Sequence, residues 1–118
     1  MCGITGYYSF QKKFNESELH AMTNSLAHRG PDAFGYFSDE IIGFGHRRLS
    51  IIDLSDNANQ PMHSADNRFV MVYNGEVYNY REIAAELRQK YKIDFRTASD
   101  SEVIIEAYAK YGAEFVQK

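Results

Sequence analysis

Position 2 carries the only cysteine of this 118-residue sequence, directly after Met1. Because an initiator methionine is normally removed when the next side chain is small, we expect the mature chain to begin with Cys2. One residue would then supply a thiol and an α-amino group of ordinary pKa about 7.7 to 8.0, which can accept the thiol proton. This pattern predicts an N-terminal nucleophile. The alternative is a small, inert side chain buried at the start of a strand.

Asn74 and Gly75 form an Asn-Gly pair between two β-prone stretches. The local pattern alone favours a tight hairpin turn. The chemical alternative is an oxyanion hole, in which the Asn74 side-chain amide and the Gly75 backbone N–H donate to one developing negative oxygen. The pair alone leaves both interpretations open.

Two charged residues are candidates for holding a charged substrate. Arg48 precedes the mainly apolar segment 49–52, and an arginine in this place can hold a carboxylate through two parallel hydrogen bonds. Its alternative is a strand-end charge that reaches solvent. Asp100 lies at a predicted helix start, where it can pair with an ammonium group or simply complement the helix dipole.

Several classes of function are disfavoured by composition. A formal charge of −3 provides no basic surface for nucleic acid. No apolar run is long enough to span a bilayer, and residues 1–15 lack the pattern of a signal peptide. With no second cysteine to form a disulfide, we predict a cytoplasmic protein without nucleic-acid or membrane partners. We also predict no metal, because four histidines lack metal-ligand spacing: His20, His28, His46 and His63.

The elements that must position these residues alternate between strands and helices. Three helices are predicted, each with a capping residue followed three positions later by glutamate, at Asn15, Asn79 and Ser99. The first is expected to stop at Gly30-Pro31 and the last at Gly112. Strands are predicted at Cys2–Phe10, Phe34–Phe37, Ile41–His46, Leu49–Asp53, Arg68–Tyr73 and Ile93–Phe95. The middle strands should form a meander, and the whole chain one α+β domain with a mainly antiparallel sheet.

Six motifs in this order resemble the amino-terminal glutaminase domain of glutamine-dependent asparagine synthetases. They lie at Met1–Ile4, His28–Asp32 with Gly35, Arg48–Asp53, Gln60–Met62, Asn74–Asn79 and Ser99–Glu102. The resemblance implies a class II glutamine amidotransferase of N-terminal-nucleophile hydrolase type, with antiparallel sheets layered with helices. It further implies that Cys2 attacks the glutamine amide, with its own amine as base, and that water then hydrolyses the thioester.

The resemblance also implies roles for eight residues. The catalytic ones are Cys2, Asn74 and Gly75, and the substrate-binding ones are Arg48, Leu49, Ile51, Glu76 and Asp100. In this scheme the Asn-Gly pair forms the oxyanion hole and Arg48 holds the α-carboxylate of glutamine. Glu76 and Asp100 lie near the α-ammonium group, while the backbone of Leu49 and Ile51 lines the pocket.

The family's domain is longer than this sequence, so residues 1–118 are expected to form a truncated amidotransferase domain whose later strands follow Lys118. No cofactor is expected in the chain itself, because ATP and Mg²⁺ would belong to an absent synthetase domain. The expected partners are glutamine and a synthetase domain or subunit that receives ammonia. One alternative is a non-catalytic binding module whose exposed sheet edges favour a homo-oligomer. Another is a related hydrolase that acts on a different amide.

Overall fold

The structure is a computed structural model that describes residues 1–11 and 13–118. The chain forms two compact units. The first unit comprises Met1–Ile51, Asn59–Pro61 and Val72–Asn74. The second unit comprises Ile52–Ala58, Met62–Met71 and Gly75–Lys118. Antiparallel sheets and helices together make the α+β class that the sequence predicts.

The first unit is a three-stranded antiparallel sheet with one helix. Its elements are β1 (Gly3–Tyr8), α1 (Glu16–Ser25), β2 (Ala33–Ser38) and β3 (Ile42–Arg48). The strand order is β1-β3-β2, so β3 is central. The register aligns Gly3 of β1 and Ala33 of β2 with Arg47 and Arg48 of β3, respectively. The ends of all three strands therefore meet near Cys2 and Arg48.

The predicted strand at Leu49–Asp53 is wrong, because the chain bends there. Its backbone donors bond to side chains: Leu49 N–H donates to Cys2 Sγ, and Ser50 N–H donates to Asp32 Oδ2. Backbone N–H groups that bond to side chains are not available for the hydrogen bonds between strands of a sheet. Of the expected meander, the antiparallel pair of consecutive strands β2 and β3 is confirmed, but the third strand is not formed and β1 pairs with β3 instead.

Helix α1 has the predicted capping box. Asn15 Oδ1 accepts from Glu18 N–H at 3.1 Å, and Glu18 Oε2 accepts from Asn15 N–H at 2.8 Å. The helix ends at Ser25, earlier than the expected stop at Gly30-Pro31. Its last residues continue as tighter turns, in which Leu26 N–H bonds to Thr23 O.

The second unit holds two helices, a small sheet and two short 3-10 helices. The elements are a 3-10 helix (Asp56–Ala58), β4 (Met62–His63), β5 (Val70–Met71), α2 (Tyr80–Tyr91), α3 (Asp100–Tyr111) and a second 3-10 helix (Gly112–Gln117). Both predicted helices are confirmed. The expected strand Arg68–Tyr73 shortens to β5, which pairs with β4.

The core of the second unit lies between α2 and α3. Leu87 is fully buried there with Ala84, Val103 and Ala107, and Ile93 and Phe95 are among the side chains packed against this cluster. The prediction of a strand at Ile93–Phe95 is wrong, because this segment has no strand partner in the described chain. Its alternating apolar residues serve the helical core instead.

The caps of α2 and α3 differ from each other. Asn79 precedes α2 without a side-chain cap bond, and its Nδ2 donates instead to Lys118 O at 2.9 Å. Ser99 Oγ caps α3 by accepting from Glu102 N–H. Helix α3 ends at Tyr111 with Gly112 at φ +61°, a conformation that favours glycine, so the predicted stop is confirmed.

The Asn-Gly hairpin alternative is wrong, since no strand follows Gly75 and the chain enters α2 through a turn. Among the helices of the described residues, none is long and apolar enough to cross a membrane.

Candidate active site

The thiol of Cys2 is held by both backbone polar groups of Leu49. Leu49 N–H donates to Cys2 Sγ at 3.3 Å, and Sγ in turn lies 3.7 Å from Leu49 O, to which the thiol donates. The side chain is half-buried. Because both contacts involve one residue, the sulfur has a defined orientation at the end of β3, as a nucleophile requires.

A short turn between α1 and β2 holds the backbone on both sides of the thiol. Arg29 Nε donates to Cys2 O at 3.2 Å. Asp32 N–H donates to Arg48 O at 3.0 Å, while its carboxylate accepts from Ser50 N–H at 2.8 Å. Gly30 lies between them, where a Cβ would overlap the backbone of Arg47. This turn therefore fixes the two segments that meet at Cys2.

The sequence predicts a helix stop at Gly30-Pro31 but no role for Arg29 or Asp32. The signal was present, because two charged residues flank a Gly-Pro pair in a segment that is otherwise only a connection. Their long-range targets, Cys2 and Ser50, could not be read from local pattern.

Arg48 is buried with only 8% of its surface exposed, so the alternative in which it reaches solvent is wrong. Its Nη1 donates to Asn59 Oδ1 at 2.8 Å. The contact orients the guanidinium group at the end of β3, one residue before the Leu49 peptide that holds the thiol.

His46 lies two residues before Arg48 on the same strand and is fully buried. Its Nε2 is 3.2 Å from Tyr73 O, and its Nδ1 has no hydrogen-bond partner among the described residues. Burial lowers the pKa of His46; the bond to Tyr73 opposes this effect, and the charge of Arg48 adds to it. Gln60 Oε1 accepts from Tyr73 N–H at 2.5 Å. The spacing of the histidines predicts only that His46 is not a metal ligand, and its contact with Tyr73, 27 residues away, has no local signal.

Asp100 is the first residue of α3 and is 6% exposed. Its Oδ2 accepts from Val77 N–H at 3.0 Å, which ties the start of the helix to the segment that contains Gly75 and Glu76. Glu76 is exposed. Asp100 therefore does more than complement the helix dipole, because it fixes the loop that follows the Asn-Gly pair.

Glu102 supports the loop that leads to Asp100. Its buried carboxylate accepts from the backbone and side chain of Arg96 at 3.0 and 3.1 Å and from the backbone and hydroxyl of Thr97 at 2.7 Å each. Burial raises the pKa of Glu102, but the hydrogen bonds from Arg96 and Thr97 outweigh it and hold the pKa below its ordinary value. The sequence predicts Glu102 only as part of a helix cap.

The structure distributes the eight predicted site residues between the two units. The first unit contains Cys2, Arg48, Leu49, Ile51 and Asn74, and the second contains Gly75, Glu76 and Asp100. Within the first unit, Cys2 and Leu49 are in direct contact. Ile51 and Asn74 are exposed. Among residues 1–11 and 13–118, no group of three or more His, Cys, Asp or Glu residues is arranged to hold a metal ion.

Comparison with known proteins identifies relatives of this chain. The chain is 42% identical over its whole length to asparagine synthetase [glutamine-hydrolyzing] 1 of Bacillus subtilis, and it covers 19% of that protein. It is 37% identical to a putative asparagine synthetase [glutamine-hydrolyzing] 2 of Methanocaldococcus jannaschii, with all of the chain and 26% of the relative aligned. A third relative, amidase chry2 of Gibberella zeae, is 40% identical over 98% of the chain and 19% of its own length.

The chain thus spans about a fifth to a quarter of the length of these relatives. A family profile described as a glutamine amidotransferase domain matches residues 1–118. Since the match extends over the complete sequence, the chain belongs to the glutamine amidotransferase domain family.

Proposed function

We propose that this chain is the glutaminase part of an asparagine-synthetase-like protein. It hydrolyses the side-chain amide of glutamine, and the ammonia is used in an ATP-dependent amidation on a separate synthetase domain or subunit. The family match and the names of two relatives support this reaction. Residues 1–118 then form part of a class II amidotransferase domain of N-terminal-nucleophile hydrolase type.

The orientation of the Cys2 thiol by Leu49 is the observation that carries the proposal. Met1 is 74% exposed, so its removal by a processing enzyme meets no steric barrier. The new α-amino group of Cys2 takes the thiol proton as sulfur attacks the amide carbon. The proton then passes to the amide nitrogen, the C–N bond breaks and ammonia leaves. Water cleaves the thioester, which releases glutamate and restores the thiol.

The remaining site residues bind glutamine or its transition state in this scheme. The Asn74 amide and the Gly75 N–H stabilise the oxyanion of the tetrahedral intermediates. Arg48 receives the α-carboxylate, and its contact with Asn59 keeps the guanidinium oriented for that bond. Asp100 and Glu76 attract the α-ammonium group, and the backbone of Leu49 and Ile51 lines the pocket. The chain itself needs no metal or nucleotide for these steps, since ATP and Mg²⁺ serve the synthetase domain.

The direct test is intact-mass analysis after incubation with a glutamine analogue that carries a diazoketone in place of the amide. We expect loss of Met1 and a single adduct at Cys2, which is the only cysteine. Cys2→Ala should form no adduct and should reduce glutamine hydrolysis to the background rate while keeping the native circular dichroism spectrum. Glutamine hydrolysis retained in Cys2→Ala would reject the proposed mechanism.

A second candidate is hydrolysis of a different amide, because one relative is named an amidase. Free glutamine and glutamine blocked at both α-groups distinguish the two candidates. If Arg48 and Asp100 bind the α-groups, the blocked substrate should be turned over at least about tenfold less efficiently, equivalent to loss of one strong polar contact of about 1.4 kcal/mol. Equal turnover of both would favour the amidase.

A third candidate is a non-catalytic module. Strands β1 and β2 each pair only with β3 in the described chain, and a free strand edge can bind another chain. Concentration-dependent association in sedimentation, together with absence of the Cys2 adduct, would favour a module that forms homo-oligomers or binds a partner.

A further inference from the structure

Two buried side chains hold the peptide groups on both sides of Tyr73. Gln60 Oε1 accepts from Tyr73 N–H, and His46 Nε2 lies 3.2 Å from Tyr73 O. His46, Gln60 and Tyr73 all belong to the first unit, as does Asn74, the next residue along the chain. We call His46, Gln60 and Tyr73 the Tyr73 clamp.

The contact with Tyr73 O defines the hydrogen position on the His46 ring. A carbonyl oxygen only accepts hydrogen bonds, so Nε2 must carry the proton. In a neutral imidazole this leaves Nδ1 as a lone pair, which agrees with the absence of any donor to Nδ1 among the described residues. A buried lone pair without a donor is unfavourable, and a leucine in its place would avoid that cost. Leucine, however, could not donate a hydrogen bond to Tyr73 O.

The Tyr73 carbonyl and the Asn74 N–H belong to one planar peptide group, which also includes the Cα atom of Asn74. A hydrogen bond that fixes the carbonyl therefore fixes the plane from which the Asn74 side chain projects. The bond from Tyr73 N–H to Gln60 restrains the preceding peptide in the same way. Once this peptide plane is fixed, the position of the Asn74 side-chain amide depends only on the φ angle and the side-chain torsions of Asn74.

We propose that His46, with Gln60, is a positioning residue that directs the Asn74 amide toward the oxyanion. The inference rests on the proposed glutaminase function. Oxyanion donors act mainly in the transition state, so a misplaced donor should lower kcat more than it changes KM. Removing an oxyanion donor outright costs about 100- to 1000-fold in kcat, and displacing it should cost less, about 10- to 100-fold.

The test compares His46→Leu, which removes the donor, with His46→Gln, which offers an amide N–H in its place. We expect His46→Leu to lower kcat for glutamine about 10- to 100-fold with KM changed less than about threefold. His46→Gln should recover a large part of kcat. Alkylation of Cys2 by iodoacetamide needs no oxyanion hole, so its rate should be the same in both variants as in the parent protein.

Hydrogen exchange in peptides that contain Tyr73 gives a readout that does not depend on activity. Exchange there should accelerate in His46→Leu and return toward the parent rate in His46→Gln. Gln60→Leu tests the other half of the clamp and should accelerate the same exchange even if His46→Leu does not fold. Unchanged exchange in the folded variants would overturn the clamp.

The kinetic outcomes separate the two proposals. Unchanged kcat in folded His46→Leu would overturn the positioning role and leave the glutaminase function intact. A parent protein with no glutaminase activity would instead reject the proposed function, and the positioning role with it.

Discussion

The two units of this protein fill their interiors in different ways. Of the eight buried hydrophobic residues in the described chain, only Leu19 lies in the first unit. The others belong to the second unit: Ala58, Met62, Ala84, Leu87, Val103, Ile105 and Ala107. The buried polar residues of the first unit include Thr23, His46, Arg48 and Gln60, and two of these bond to Tyr73.

Close packing of side chains against the backbone of β3 replaces apolar volume in the first unit. At Gly45 on β3, a Cβ would collide with the hydroxyl groups of Thr23 and Thr5, which are themselves hydrogen-bonded at 2.7 Å. In the second unit, α2 and α3 instead interlock through Leu87 and Val103. Because polar groups are buried in both units, the difference lies in apolar volume, which the unit containing the thiol largely lacks and replaces with close approach to its backbone. The two units should therefore be sensitive to opposite kinds of substitution.

The largest effect is expected from removing volume in the second unit. Leu87→Ala should lower the free energy of unfolding by about 2–5 kcal/mol, because it deletes a fully buried side chain and leaves a cavity. Urea unfolding followed by circular dichroism measures the change. Leu54→Ala is the control in the same unit: Leu54 is 78% exposed, so its loss should change stability by less than about 0.5 kcal/mol. Equal effects of the two variants would contradict an apolar core around Leu87.

Adding volume should be the damaging change in the first unit. Gly45→Ala is expected to cost about 1–3 kcal/mol, since the new methyl group has no space beside Thr23. A double-mutant cycle with Thr23→Ala tests the cause, because removing the Thr23 hydroxyl should relieve part of the overlap. Strictly additive costs would show that the destabilisation of Gly45→Ala has another origin.

The N-terminal cap of α1 should have a smaller effect. With Leu19 as the only buried hydrophobic residue of this helix, α1 depends on its capping box. Asn15→Ala should destabilise it by about 1 kcal/mol, and Asn15→Asp should largely preserve stability. Hydrogen exchange at residues 16–20 reports the loss of the cap. Similar exchange in Asn15→Ala and Asn15→Asp would show that the cap contributes little.

Mild acid should give the smallest effect and act on the first unit only. The pKa of His46 is lowered in the folded state, so below pH about 6.5 the unfolded state binds a proton that the folded state does not. Stability is therefore full above pH 6.5 and declines as the pH falls toward the folded pKa. Glu102, whose pKa is lowered, keeps its charge throughout this range.

This pH effect is measured by urea unfolding at pH 7.5 and pH 5.5. His46→Gln is the control, because it removes the titrating group, and its stability should vary less between the two pH values. A decline of equal size in both proteins would assign the effect to other groups.

The sequence was most informative where a signal was local. Helix α1 was predicted from its capping box, and α3 from Ser99 and the terminal Gly112, because those bonds join residues a few positions apart. The run Leu49–Asp53 has the composition of a strand, but Leu49 N–H bonds to a sulfur 47 residues away. A hydrogen-bond partner this far away in the sequence cannot be predicted from the pattern of neighbouring residues.

The same distinction applies to the candidate site. The residue types at Cys2, Arg48 and Asp100 predict a candidate site for a charged substrate. The supporting contacts around this site cannot be predicted from the sequence in the same way, since Arg29 bonds to Cys2 and His46 to Tyr73, each across 27 positions. Because each contact joins residues 27 positions apart, no short window of sequence contains both partners.

The separation between Cys2 and Leu49 also has a consequence for biosynthesis. At translation rates of about 5–20 residues per second, Leu49 is added about 2–9 s after Cys2, and during that interval the sulfur lacks the peptide that later holds it. Its backbone anchor, Arg29, is added partway through the same interval. The thiol of the nascent chain therefore lacks its backbone partner for at least this interval. Oxidants present during synthesis should reach this sulfur more readily than they do in the folded protein.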